Sequence, residues 1–171
     1  LVDNIIHVIQ VTARLIITFT LPQSLMQNKL RFSGHESFHC RHFWLKKGYD
    51  FNQKYESRYN MDEAVVELGV GKNMVSAIDF WLKSFGIKSI DDSSDLTEFA
   101  HLLFNDENGW DPYLEDPGTL WLLQYLNLKT DFASIYKLIF SKYRRDRVSN
   151  EFNASQIRNY VKTHLMGNSS T

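Results

Sequence analysis

The chain has 171 residues, a formal net charge of −1, 43% hydrophobic residues and 14% aromatic ones. That length builds one domain or two very small ones, the apolar share excludes wholesale disorder, and the near-neutral charge excludes a polycation that grips nucleic acid over its whole surface. A single Cys excludes a disulfide framework and a Cys-rich zinc ribbon, and three Pro exclude a Pro-rich chain.

Residues 1–25 are rich in Ile, Val, Leu and Thr, with Asp3, His7, Gln10 and Arg14 scattered among them. A spanning helix needs about 20 apolar residues with few breaks. A secretory signal needs a basic start, a clean apolar stretch and a small-residue cleavage site. Neither pattern is met, which predicts a cytoplasmic protein with no membrane partner and a reduced Cys40. The text turns polar at Met26, so the body is expected to begin there and to fold without the first 25 residues, an upstream or expression remnant. The alternative is an extra strand or helix packed on the body.

His35-Glu36-Ser37-Phe38-His39 spells H-E-x-x-H. On a helix, two His four residues apart face one metal ion, and the intervening Glu can act on a bound water. Glu63 or Glu67 would then supply a third ligand for a zinc hydrolase. Gly34 and the turn-like Arg31–Gly34 argue against a helix here. The plainer reading is a helix start with Phe38, Phe43 and Trp44 in the core and the His residues at the surface or hydrogen-bonded.

Asn60 can cap a helix over Met61–Leu68, with Asp62 and Glu63 in its first turn. Gly69-Val70-Gly71 breaks it. A second helix over Lys72–Phe85 carries Val75, Ile78, Leu82 and Phe85 on one stripe and Lys72, Ser76, Asp79 and Lys83 on the other, and Gly86 ends it. Two short helices joined by a glycine turn are the arrangement that presents a second helix to the major groove. Residues 87–97 then read as a short β-hairpin, the wing of a winged helix. Lys72, Asn73 and Ser76 would meet the duplex, with Lys83 further along the same face. Asp79 on that stripe and the acidic wing tip oppose this, because phosphate contacts supply much of the affinity.

Leu96–Phe104 is expected to be a helix and Asn105–Gly118 a polar loop. Thr119–Leu128 is apolar on nearly every side, so it is expected to be a buried helix in which Trp121 is structural, with Trp121→Ala costing about 3–5 kcal/mol. A helix over Phe132–Tyr143 runs into Lys142, Arg144, Arg145 and Arg147, the densest basic cluster. Those arginines suit a helix C-terminus or a phosphate contact. Asn153 and Gln156 open a last helix through His164. Charge is segregated along this path. Gln27–Lys88 has ten basic and seven acidic residues, Ser89–Asp116 has nine acids and no Lys or Arg, and Pro117–Thr171 has eight basic and three acidic. The acidic middle is expected to face away from any duplex.

The strings Phe32-Ser-Gly-His-Glu-Ser-Phe38, Trp44-Leu-Lys-Lys-Gly48, Leu68-Gly-Val-Gly-Lys-Asn-Met-Val75, Phe80-Trp-Leu82 and Leu114-Glu-Asp-Pro-Gly-Thr-Leu-Trp-Leu-Leu123 resemble the bacterial family numbered 4007 among the domains of unknown function. The resemblance covers about Met26–Phe152. It implies a winged-helix protein encoded with DNA-modification and phage-defence genes, notably those of phosphorothioation-type chemistry. The family has no established catalytic residues. Its pattern includes His35 and Glu36 but not His39, so the zinc spelling looks accidental. The roles of His35, Glu36, Glu115 and Asp116 stay open. The family is longer than this chain, and Met166–Thr171 does not resemble its continuation, which predicts a truncated member.

The combined expectation is a mainly α fold: a winged helix-turn-helix core with a hairpin wing and further C-terminal helices. Residues 1–25 form an unmatched extension, 26–152 the body and 153–171 a terminal helix and frayed tail. The function expected is that of a non-enzymatic DNA-binding accessory of a defence or DNA-modification system, without metal or cofactor. Duplex DNA and other proteins of that system are its partners. The alternative is an adaptor of the same fold that contacts proteins through its acidic middle and aromatic surface.

Overall fold

The computed structural model describes residues 31–56, 60–91, 95–143 and 153–167. The chain divides into two units, Leu1–Leu30 and Arg31–Thr171, and every described residue lies in the second. The expectations for residues 1–25 and for Arg144, Arg145 and Arg147 fall outside the described residues. A chain beginning at Met26 is expected to melt cooperatively in calorimetry; loss of that transition would make the preceding segment part of the core.

Three helices form the centre. α1 (Trp44–Lys54) turns Trp44, Leu45, Tyr49 and Phe51 inward. α2 (Met61–Leu68) starts with a reciprocal cap: the Glu63 N–H donates to Asn60 Oδ1 at 2.9 Å and the Asn60 N–H donates to Glu63 Oε2 at 3.0 Å. Gly69, at φ +58°, ends it in the left-handed conformation that glycine adopts without steric cost. α3 (Lys72–Ser84) follows at once and buries Val75, Ala77, Ile78, Phe80, Trp81 and Leu82. Its C-terminal half is enclosed because α1 packs against it at Gly48. A Cβ there would sit 2.8 Å from both Ile78 Cγ2 and Leu82 Cδ1.

α4 (Glu98–Phe104) begins at Thr97, whose Oγ1 accepts from the Ala100 N–H at 3.2 Å. It begins two residues later than the sequence suggests, because Leu96 is spent on a backbone pairing. α5 (Pro117–Thr130) is longer than expected at both ends. The segment after it is a short α6 (Ser134–Lys137) that passes into a π-helical turn, Leu138–Tyr143, rather than one α-helix from Phe132. α7 (Ala154–Gly167) opens on the expected Asn153–Gln156 cap, with reciprocal bonds of 3.0 and 3.1 Å.

The described residues are mainly helical and contain no strand, so the hairpin wing is not formed as expected. What stands there is one antiparallel bridge, Lys88 to Leu96, flanked by Ser89 N–H to Asp95 O at 2.8 Å and Thr97 N–H to Ile87 O at 3.0 Å. The ladder stops because its ends are used elsewhere. Ile87 is fully buried, Lys88 is drawn to Asp79, and the Thr97 hydroxyl donates to Gly86 O at 2.8 Å while capping α4.

The second correction concerns α5. Trp121 is 74% exposed, Tyr125 53% and Leu120 49%. The inward stripe is Leu123, Leu126, Asn127 and Thr130. Its polar members are tied to Ser84: the Ser84 hydroxyl donates to Asn127 Oδ1 at 2.6 Å, and Thr130 Oγ1 donates to Ser84 O at 2.7 Å. Once Ser84 holds those two residues inward, the helical period turns Trp121 and Tyr125 outward. Trp121→Ala is therefore expected to cost under about 1 kcal/mol in urea denaturation, against the 3–5 kcal/mol that burial would imply. Phe43, assigned to the core by the plainer reading of the histidine segment, is likewise exposed, while Trp44 is buried.

Candidate nucleic-acid interface

The two-helix arrangement of α2, glycine turn and α3 is present, and its turn is open. A Cβ added at Gly69 or Gly71 would meet no atom within 4 Å. Gly71 has extended backbone and caps α3 through its carbonyl alone, accepting from the Met74 and Val75 N–H groups at 2.9 and 3.0 Å, with no side-chain cap. Lys72 and Asn73 are exposed and Ser76 is half-buried. Lys72 Nζ lies 3.0 Å from Asp62 Oδ1, with both side chains largely in solvent. Such a pair contributes about 0–1 kcal/mol, so a phosphate could displace the carboxylate at little cost. Ser76 Oγ donates back to Lys72 O at 3.3 Å, a contact it can exchange for a base edge.

Asp79, which sequence patterning placed on the same face as an obstacle to a polyanion, is neutralised from two sides. Lys83 Nζ lies 2.9 Å from its Oδ2 and Lys88 Nζ 2.8 Å from its Oδ1. Burial alone would raise the Asp79 carboxyl pKa, but the charges and hydrogen bonds of Lys88 and Lys83 outweigh it and hold the value below the ordinary one. Lys83 is therefore occupied within the fold. Lys88, the other half of the clamp, went unnoticed in the sequence because it is read as a wing residue. The i,i+4 spacing of Asp79 and Lys83 is the signal that was available.

The His35–His39 segment is a turn, not a helix. Phe38 N–H donates to His35 O at 2.8 Å across Glu36 and Ser37, both at positive φ (49° and 64°). His35 Nδ1 accepts from the Ser37 N–H at 3.1 Å. The imidazole stacks on Trp81 at 5.8 Å and meets Phe80 edge-on at 5.4 Å, while Trp81 Nε1 donates to Phe38 O at 3.0 Å. Gly34, at φ +122°, lies where a Cβ would come within 2.9 Å of Phe80 Cδ2. His35 and His39 thus share no helical face. Glu63 is used in the α2 cap, and Glu67 pairs with Lys54 at 2.6 Å. Among the described residues no three His, Cys, Asp or Glu converge on a metal position. The segment clamps the chain onto α3, and Glu36 is left at the surface.

The Leu114–Leu123 string is a helix start. Asp111 accepts from the Glu115 N–H at 2.8 Å and the Asp116 N–H at 3.0 Å. Burial would raise the Asp111 pKa, but those backbone donors and Thr119 pull it below the usual carboxylate value. Asp116 Oδ1 caps α5 by accepting from the Gly118 N–H at 2.6 Å, with Pro117 at the first helical position. Asp116 is thereby given a structural role, and Glu115 stays exposed. Among the described residues no helix is long and apolar enough to cross a membrane.

The family model described as "Protein of unknown function (DUF4007)" matches residues 32–171. No curated protein matches the chain. Two solved structures are similar. An SspB crystal structure aligns with TM-score 0.58 and 28% identity, over 80% of this chain and 43% of that one. A magnesium ion-bound SspB crystal structure aligns with TM-score 0.50 and 36% identity, over 58% of this chain and 31% of that one. The chain spans less than half the length of either.

Proposed function

This chain belongs to the DUF4007 family, and from that premise we propose that it is a non-enzymatic, duplex-DNA-contacting accessory of a bacterial DNA-modification or defence system of the phosphorothioation type. The similarity to SspB supports a place in a modification system with protein partners. The observation that carries the DNA contact is the open glycine turn before α3, with Lys72, Asn73 and Ser76 around a helix start that has no side-chain cap. Lys72 and the Arg144, Arg145 and Arg147 cluster would neutralise phosphates, while Asn73 and Ser76 would meet base edges. Lys83 is the weakest member of the set, since Asp79 already holds its ammonium.

Duplex binding followed by fluorescence anisotropy across a salt series tests this. Lys72→Ala is expected to lower affinity for every duplex and to flatten the log–log salt slope by about 0.9. Replacing Arg144, Arg145 and Arg147 together should flatten it further. Asn73→Ala should leave the slope alone and narrow the gap between preferred and random sequence. An arginine triple variant with wild-type affinity and slope would sink the DNA reading. The second reading, an adaptor, is favoured by the outward Trp121 and Tyr125 on α5. It gains if neutralising Asp91, Asp92 and Asp95 abolishes a protein contact and leaves DNA affinity unchanged.

A further inference from the structure

A groove of about 220 Å³ lies between the chain leading into α1, the end of α3 and the first half of α5. Leu45, Leu114 and Leu123, all buried, line it together with Phe85 and the half-exposed Leu120. Its polar lining is Arg41, His42, Gln124 and Cys40, and no carboxylate is present. Burial pushes the Cys40 thiol up to about 12, so it brings no charge. The Arg41 guanidinium is exposed, lies 5.4 Å from the Trp44 ring centroid, and makes no ion pair among the described residues. The two basic residues buried in the described core, Lys46 and Lys88, both have carboxylates within 3 Å.

The volume is below the roughly 300–1,000 Å³ of small-molecule sites, so the groove suits one or two side chains rather than a cofactor. A single cation beside an aliphatic floor is also a poor nucleic-acid site, which needs several cations or flat aromatic platforms. We propose that this groove takes a short acidic–apolar peptide segment of a partner protein, an aliphatic or Phe anchor entering between Leu45, Leu114 and Leu123 while a neighbouring Asp or Glu pairs with Arg41. Arg is the cation suited to this, because its planar fork can hold a carboxylate through two parallel bonds. The inference shares no residue with the α3 surface and does not depend on duplex binding.

The test is selection of short random peptides displayed on phage against the full chain, followed by anisotropy with one enriched, labelled peptide. Enriched peptides should pair Asp or Glu with Leu, Ile, Met or Phe. Arg41→Glu should weaken binding about tenfold or more and redirect selection toward basic peptides, and Leu120→Ser should weaken binding by a similar factor. Both positions are at the surface, so circular dichroism melts should be unchanged. A chain carrying Lys72→Ala and Asn73→Ala should still take the peptide, which separates this site from the DNA reading. Failure to enrich any peptide, enrichment of acid-free peptides, or wild-type affinity in Arg41→Glu would overturn the proposal. Loss of duplex affinity in Arg41→Glu with peptide binding intact would overturn it in favour of a nucleic-acid contact.

Discussion

Asp79→Ala is expected to lower the stability of the fold by about 3 kcal/mol, among the larger effects a single surface-adjacent change can have. The substitution removes little apolar contact. Its effect lies in what remains: Lys88, with a side chain only 4% exposed, loses the carboxylate 2.8 Å from its ammonium, and Lys83 loses its partner at 2.9 Å. Weakening the charge compensation of a buried cation costs more than an exposed pair contributes. Urea denaturation at pH 7 measures the loss. A change under about 1 kcal/mol would mean that water or the other contacts of Lys88 already compensate its charge. The sign of the pH dependence follows from the depressed Asp79 pKa. Its contribution is fully present above the unfolded-state value of about 3.9 and is lost as pH falls through the lower folded-state value. In Asp79→Ala that part of the acid destabilisation should disappear.

Gly48→Val is expected to destabilise by about 3 kcal/mol or more, and even Gly48→Ala should destabilise. Helix propensity alone argues the opposite, since Ala in place of a mid-helix Gly gains about 0.5–1 kcal/mol. Packing decides. A Cβ at position 48 meets Ile78 Cγ2 and Leu82 Cδ1 at 2.8 Å each. The Leu82 methyl can swing away, but Ile78 Cγ2 is fixed to its own Cβ, so α1 must retreat from α3. Thermal melts of the two variants measure this. Stabilisation by Gly48→Ala would show that α1 and α3 have room to spare.

The parts of this fold legible in the sequence are those fixed by local chemistry. The Asn60 cap, the Gly69 and Gly86 stops, the Lys72 start and the Asn153–Gln156 cap each depend on residues within a turn of one another, and each stands within a residue or two of its expected place. The failures came where a distant partner decided the outcome. Apolar residues on all sides of Thr119–Leu128 could not say which side faces inward; Ser84, about forty residues earlier in sequence, chose the side bearing Asn127 and Thr130. The wing shrank to one bridge because Asp79 and the core claimed Lys88 and Ile87. The H-E-x-x-H letters were undone by Gly34 and the stacking of His35 on Trp81. At the candidate interface, the open turn and the positions of Lys72, Asn73 and Ser76 were legible; the withdrawal of Lys83 into an ion pair was not.

The four tryptophans fall into two optical classes. Trp44 and Trp81 are enclosed, whereas Trp110 and Trp121 face solvent. Enclosed indoles emit at shorter wavelength and are shielded from collisional quenchers, and Trp81 additionally has an imidazole stacked on its ring. The native emission spectrum is thus a composite of a blue, shielded component from the α1–α3 core and a red, quenchable one from the outer side of α5 and the loop before it. The molecule carries its own pair of reporters: unfolding is read in the first, and anything that settles over Trp121 is read in the second, without a label on the protein.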